Sequence, residues 1–373
     1  MGQRGRLPMP ERRRPPVAVL ARRWAVLVAV VVVVVVGVRV ATGGRAPARA
    51  TTRAAGAGTS APRPRPAAGH LVVSLAPWRL GAPVSRSAVV PYGSDFLVLG
   101  GLATGDTSTA DVWKVDPARG TATLVGSLPS AVHDAAGGFL SGRAVVFGGG
   151  SFSTVAAVQA WSPSSGTASV PGALPAPRSD LSAAVLGGTA YVLGGYDGTS
   201  LSPTILATSD GVHFRTVGRL VQPVRYAAVA AVGGSVLVVG GDLGAGTASA
   251  ASRQTSEIQR FDPRTGRTTV VGHLPVVLGD AFAVALGGEL YVLGGRTGNV
   301  LSRAMWRVDP ATGAVSPAGT LTYPRSDAGV VVVAGRAYVV GGETTGPLAP
   351  LDSVLEVRLA TGRPRTATRG TAA

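Results

Sequence analysis

The stretch Phe96-Leu97-Val98-Leu99-Gly100-Gly101, four apolar residues closed by a glycine pair, returns five more times along the chain. The later copies close on Gly148-Gly149, Gly194-Gly195, Gly240-Gly241, Gly294-Gly295 and Gly341-Gly342. The first glycines of successive pairs lie 48, 46, 46, 54 and 47 residues apart, a spacing that marks an array of repeated units. Ahead of each apolar run stands a second short apolar segment and a turn of small residues: Gly93-Ser94, Ser141-Gly142, Gly187-Gly188, Gly233-Gly234, Gly287-Gly288 and Ala334-Gly335. Such pairs close tight hairpins. The run before the glycines is apolar on both faces, as a strand covered by neighbouring sheets requires.

Beyond each glycine pair come a variable segment and a third strand, ended by Asp116-Pro117, Asp262-Pro263 or Asp309-Pro310, with Ser162-Pro163 and Asp210-Gly211 at the matching places. A fourth strand follows, for example Thr121 to Val125 or Thr268 to Val271. An aromatic residue precedes the turn in four copies: Trp113, Trp161, Phe261 and Trp306; the third copy has Ile205-Leu206 instead. Glycine pairs after an apolar strand with a downstream aromatic resemble the kelch repeat family, over about residues 71–369. The resemblance implies an all-β, six-bladed kelch-type β-propeller, taken as residues 70–369, but no particular activity, because propellers of this kind serve many roles. Kelch-like copper oxidases need a cysteine-modified tyrosine, and a chain without cysteine cannot make one.

Counting back from the glycines exposes two further registers. A leucine lies twenty residues before each pair: Leu80, Leu128, Leu174, Leu220, Leu274 and Leu321. Leu80 has no preceding unit, so Leu71 to Leu80 is expected to supply the outer strand of the last blade and close the ring; Arg363 to Thr368 is the alternative donor. Fourteen residues before each pair lies a polar position: Asp134, Asp180, Asp280 and Asp327, with Arg86 and Tyr226 in the other two copies. Arg178 and Arg325 stand two residues earlier in matching Pro-Arg-Ser-Asp stretches.

With the first strand innermost, as in the family, these eight residues are expected to ring the mouth of the central channel. Carboxylates gathered there repel one another unless arginines, a cation or a polyhydroxylated ligand offset their charge. The competing reading gives each Asp a local role, accepting backbone N–H groups at a strand-start turn. The longest variable loops, Asp242 to Ser256 and Glu343 to Asp352, belong to the same face.

The first seventy residues carry thirteen arginines against one acid, Glu11, so +12 of the formal +16 lies ahead of the repeats. A nucleic-acid footprint would be a basic stripe on the folded part, and no nucleic-acid partner is expected. Residues 1–23 read as a basic cytoplasmic leader and 24–42, centred on seven valines (Val30 to Val36), as a transmembrane signal-anchor. A cleaved signal peptide is the alternative, with small residues at Ala46-Pro47-Ala48 or Ala48-Arg49-Ala50. Residues 43–69, rich in Ala, Pro and Arg, read as a disordered linker. This order places the N-terminus in the cytoplasm and a monomeric propeller outside the cell membrane.

No catalytic set emerges. The histidines, His70, His133, His213 and His273, have no ligand spacing, and neither metal nor cofactor is expected. Ser209-Asp210-Gly211 followed by Phe214 is similar to the Asp-box turn of sialidase propellers, a structural feature occurring once. The expected function is a binding or scaffolding module for glycan or protein at the cell envelope. The alternative is a carbohydrate-active enzyme of epimerase or lyase type using Asp and Arg at the mouth.

Overall fold

The computed structural model describes residues 69–244, 253–344 and 349–360. The expected leader, membrane segment and all but the end of the linker lie outside these residues, as do Arg363 to Thr368 and parts of both long loops. The described residues form six four-stranded antiparallel sheets and a short ribbon, Arg296–Thr297 with Val300–Leu301. No helix among them is long and apolar enough to cross a membrane.

Each sheet is a blade, and in the first five the strands run outward in chain order. The inner strands are Ala88–Tyr92, Ala136–Leu140, Ser179–Leu186, Ala228–Val232, Phe282–Leu286 and Gly329–Val333, each beside the next and the last beside the first. The apolar run before the glycines is the second strand. Its residues, such as Phe96 to Leu99 and Leu290 to Leu293, are buried on both sides. Apolar clusters fill the gaps between adjacent blades, as where Val90 and Leu97 of blade 1 meet Ala144 and Val146 of blade 2.

Blade 6 mixes the two ends of the chain: Gly329–Val333, Arg336–Val340, Leu351–Ala360 and, outermost, His70–Val84. His70 pairs with Ala360 and Leu75 with Leu355; after register shifts, Arg79 pairs with Ser353 and Val84 with Leu351. The N-terminal strand therefore closes the ring, and Leu80 is buried like its five counterparts. His70 and Ala360 lie at the end of the blade that carries the Ala334-Gly335 turn, so the chain enters the propeller on the face opposite the channel mouth.

The glycine pairs fasten blade to blade. The N–H of each second glycine donates at 2.8–2.9 Å to a carbonyl just ahead of the next blade's inner strand: Gly101 to Val132, Gly149 to Arg178, Gly195 to Val224, Gly241 to Leu278, Gly295 to Arg325 and Gly342 to Val84. The first glycines have φ near +60°, and a Cβ there would lie 2.0–2.6 Å from the same carbonyl oxygens. Both constraints demand glycine.

The third-strand aromatics pack across the same seams. Trp113 lies against Gly81, Trp161 against Gly126 and Phe261 against Gly218, each on the outer strand of the preceding blade. Blade 3, which lacks the aromatic, fills its seam with the Asp210 turn. There Val212 meets Gly172, Gly211 meets Val145, and Phe214 packs edge-on against Phe147. Asp210 accepts from the backbone N–H groups of Val212 and His213 and holds the His213 ring, bonds that keep its carboxyl well below the usual range.

Candidate functional site at the channel mouth

The polar position at the entry to each inner strand has φ between +52° and +56° in all six blades. Asp tolerates this left-handed conformation better than most residues; Arg86 and Tyr226 hold it at a cost of roughly 1–2 kcal/mol each. A closed belt of main-chain bonds imposes it. Asp134 N–H donates to Arg86 O, Asp180 to Asp134, Tyr226 to Asp180, Asp280 to Tyr226, Asp327 to Asp280 and Arg86 to Asp327, at 2.8–3.2 Å. The belt circles the axis once, and its six side chains line one cavity of about 510 Å³, counted to its open mouth. Beneath them lies a tier of small side chains, Ala135, Ala227, Ala281 and Ala328 with Leu181 and Ser87.

The carboxylates do not cap backbone N–H groups; they bond side chains. Arg86 Nη1 is 3.4 Å from Asp134 Oδ2, and its Nε is 3.5 Å from both Asp327 Oδ1 and Glu343 Oε1. Arg296 Nη2 donates to Asp327 and Glu343 at 2.9 Å, and its Nε is 3.6 Å from Asp280. Arg225 Nη1 donates to Asp180 at 3.3 Å, and Tyr226 reaches across the mouth to Asp134 at 3.5 Å. Five carboxyl groups thus share three guanidinium groups in a partly buried network.

That imbalance sets the titration of the site. Burial, opposed by Arg86 and reinforced by Asp180 and Asp327, pushes the Asp134 carboxyl up to about 7. Burial and the charge of Asp327 and Asp242 push Asp280 well above its ordinary value, and burial with Asp327 raises Glu343. Burial alone would lower Arg86, but Asp134 and Asp327 hold its guanidinium above the ordinary value. His133, 3.5 Å from Asp134 and bonded through Nδ1 to Ser108 Oγ at 2.8 Å, is lowered by burial and by Arg86.

Two of the eight expected site residues lie elsewhere. Arg178 donates to Thr204 O and Oγ1, and Arg325 to Gly341 O, Ser353 O and Ser353 Oγ. Neither lines the cavity; both tie an inter-blade seam to a third strand, because their carbonyls are the ones the glycine pairs bond. Burial brings each guanidinium down to about 10.

The residues that complete the network are Arg225, Arg296 and Glu343, with Ser85 donating to Glu343 at 3.2 Å. The signal for Arg296 and Glu343 was the same ruler read one residue past the pair: Leu102, Gly150, Tyr196, Asp242, Arg296 and Glu343. Each of these pairs with the residue just before the mouth position: Ser85, His133, Ser179, Arg225, Gly279 and Ser326.

A groove of about 560 Å³, again counted to its opening, runs outward from the mouth between blades 2 and 3 and shares Asp134 and Asp180 with it. Ser151, Ser153, Thr154 and Ser179 supply hydroxyls, Tyr196 forms one wall and Phe152 stands fully exposed at the rim. The Arg225 guanidinium lies 5.5 Å from the Tyr196 ring and 5.3 Å from the Tyr226 ring. No group of three His, Cys, Asp or Glu among the described residues has the arrangement of a metal site.

The fold and its mouth define a six-bladed propeller closed by both chain ends. The Kelch motif model matches residues 279–322, which span one blade from its mouth-side entry through its fourth strand. With six glycine-pair blades the fold is a six-bladed β-propeller, and its fifth blade carries the Kelch motif. The solved structure of YjhT is similar at a TM-score of 0.63 and 16% identity, over 74% of this chain and 95% of that one. At that identity the likeness concerns the fold. No curated protein matches the chain.

Proposed function

We propose that this propeller is a membrane-tethered binding module that presents its channel mouth to a glycan at the cell envelope. The observation that carries the reading is the convergence of Asp134, Asp180, Asp280, Asp327, Arg86 and Tyr226 on one open cavity continuous with a hydroxyl- and tyrosine-lined groove. Sugar recognition pairs hydroxyls with carboxylates and guanidinium groups and lays ring faces on aromatic side chains. Calorimetric titration with envelope glycans tests the reading: binding that Asp180→Asn weakens supports it, and binding unchanged by that variant removes the mouth from the site. Fractionation tests the tether, since a soluble mature protein lacking residues 1–50 contradicts it.

Asp134 favours a second reading. A carboxyl titrating near neutrality beside His133 suits proton transfer to or from a sugar, the chemistry of an epimerase or lyase. Turnover of a bound glycan, lost in Asp134→Asn with binding retained, distinguishes this enzyme from a binding module.

A further inference from the structure

We infer that the ligand is a glycan carrying a free primary amine, with an amino sugar at the mouth and the adjoining sugar in the groove toward Tyr196 and Phe152. The inference rests on the glycan reading above and deepens it. Charge is the first argument. Five carboxyl groups face three guanidinium groups, so the mouth accepts added positive charge and resists a uronate or another acidic sugar.

The shape of the cation follows from the walls. A quaternary ammonium group calls for an aromatic cage, whereas the tier beneath the mouth is alanine. A primary ammonium presents three N–H donors and suits carboxylates spaced around a ring.

The groove supplies the second subsite, because it opens from Asp134 and Asp180 and ends at an exposed aromatic ring. Burial and neighbouring carboxylates shift the Asp134 and Asp280 carboxyls upward. An ammonium group entering beside them favours their ionised forms, and the protons released pass to buffer.

The test is calorimetric titration of the full chain with a β-1,4-linked glucosamine disaccharide and with its N-acetylated counterpart. The amine is expected to bind at least about tenfold more tightly, a difference readily resolved in Kd. It is also expected to release protons, read as an enthalpy that changes with the ionisation heat of the buffer. If the acetylated sugar binds equally or better, the amine inference is overturned while the glycan reading stands; if neither binds, both fall. Phe152→Ala, at a side chain the core does not use, is expected to weaken the disaccharide at least about threefold and leave glucosamine itself unchanged. Equal effects on both sugars, or none, overturn the groove as a second subsite.

Discussion

The backbone N–H of Arg86 donates to the carbonyl oxygen of Asp327 at 2.8 Å, joining the first blade to the last. Five equivalent bonds complete the belt, so the mouth is rigid main chain before any side chain is considered. That is how a repeat fold fixes a site: the scaffold sets six positions around an axis, and sequence variation at those positions sets the chemistry.

The steric role of the glycine pair is tested by comparing two glycines of the same φ. A Cβ at Gly341, φ +62°, would lie 2.0 Å from Val84 O, whereas at Gly93, φ +63°, it meets open space. Gly93→Ala is expected to cost about 1 kcal/mol for backbone strain alone, and Gly341→Ala more than about 3 kcal/mol because a blade seam must part. Urea denaturation gives both values, and equal costs contradict the rivet.

Closure by the N-terminal strand makes residues 70–84 part of the cooperative unit. Leu80, 7% exposed on the outer strand of blade 6, is expected to cost about 2–4 kcal/mol as Leu80→Ala. Deleting residues 71–80 is expected to lower the melting temperature sharply and expose the edge of Leu351–Ala360 to self-association. An unmoved melting temperature contradicts the closure.

Asp134 gives the stability a pH dependence of unusual sign. Its folded pKa, about 7, lies above the ordinary carboxyl value of 3.8, so between these limits the folded state binds more protons than the unfolded one. Stability therefore falls as pH rises through this window. Asp280 and Glu343 are shifted the same way, while the lowered carboxyls Asp116, Asp210 and Asp262 act below it. Around Asp134 stand Arg86, His133, Asp180, Tyr226 and Asp327. In Asp134→Asn the fall in urea midpoint between about pH 5 and 8 is expected to be shallower; an identical slope places the titration elsewhere.

Arg296 holds Asp280, Asp327 and Glu343 together. Replacing one partner of a buried ionic network leaves charge uncompensated, so Arg296→Met is expected to cost about 3–5 kcal/mol at neutral pH. The loss should shrink as pH falls, because Asp280 and Glu343, both shifted upward by burial, take up protons first. Arg264→Ala, at an exposed side chain, is expected to stay within about 0.5 kcal/mol.

Most of the architecture was legible because a repeat prints the same constraint six times. The glycine pairs, the hairpin turns and the leucine register each reported a backbone requirement that residue identity reveals directly, and Leu80 pointed to the closing strand. The site was half legible. The mouth positions emerged by counting back from the glycines, and αL geometry accounts for Asp in four of the six copies, but the belt that imposes the geometry is main chain and has no side-chain signature. Arg178 and Arg325 were drawn to the mouth by their nearness to Asp180 and Asp327, yet side chains two residues apart on an irregular segment need not share a face, and theirs turn to the third strands. Arg296 and Glu343 were passed over because the residue after the pair varies in type from blade to blade.

The central claim is that the mouth and its groove form the binding site. Hydrogen exchange of the full chain, with and without the glucosamine disaccharide, tests it most directly. Added protection is expected around Ser151 to Thr154, Ser179 to Leu181 and Arg225 to Ala227, with none at the hairpin turns of the opposite face, such as Gly187-Gly188. Protection confined to those turns or to the outer strands, with the mouth unchanged, would contradict it.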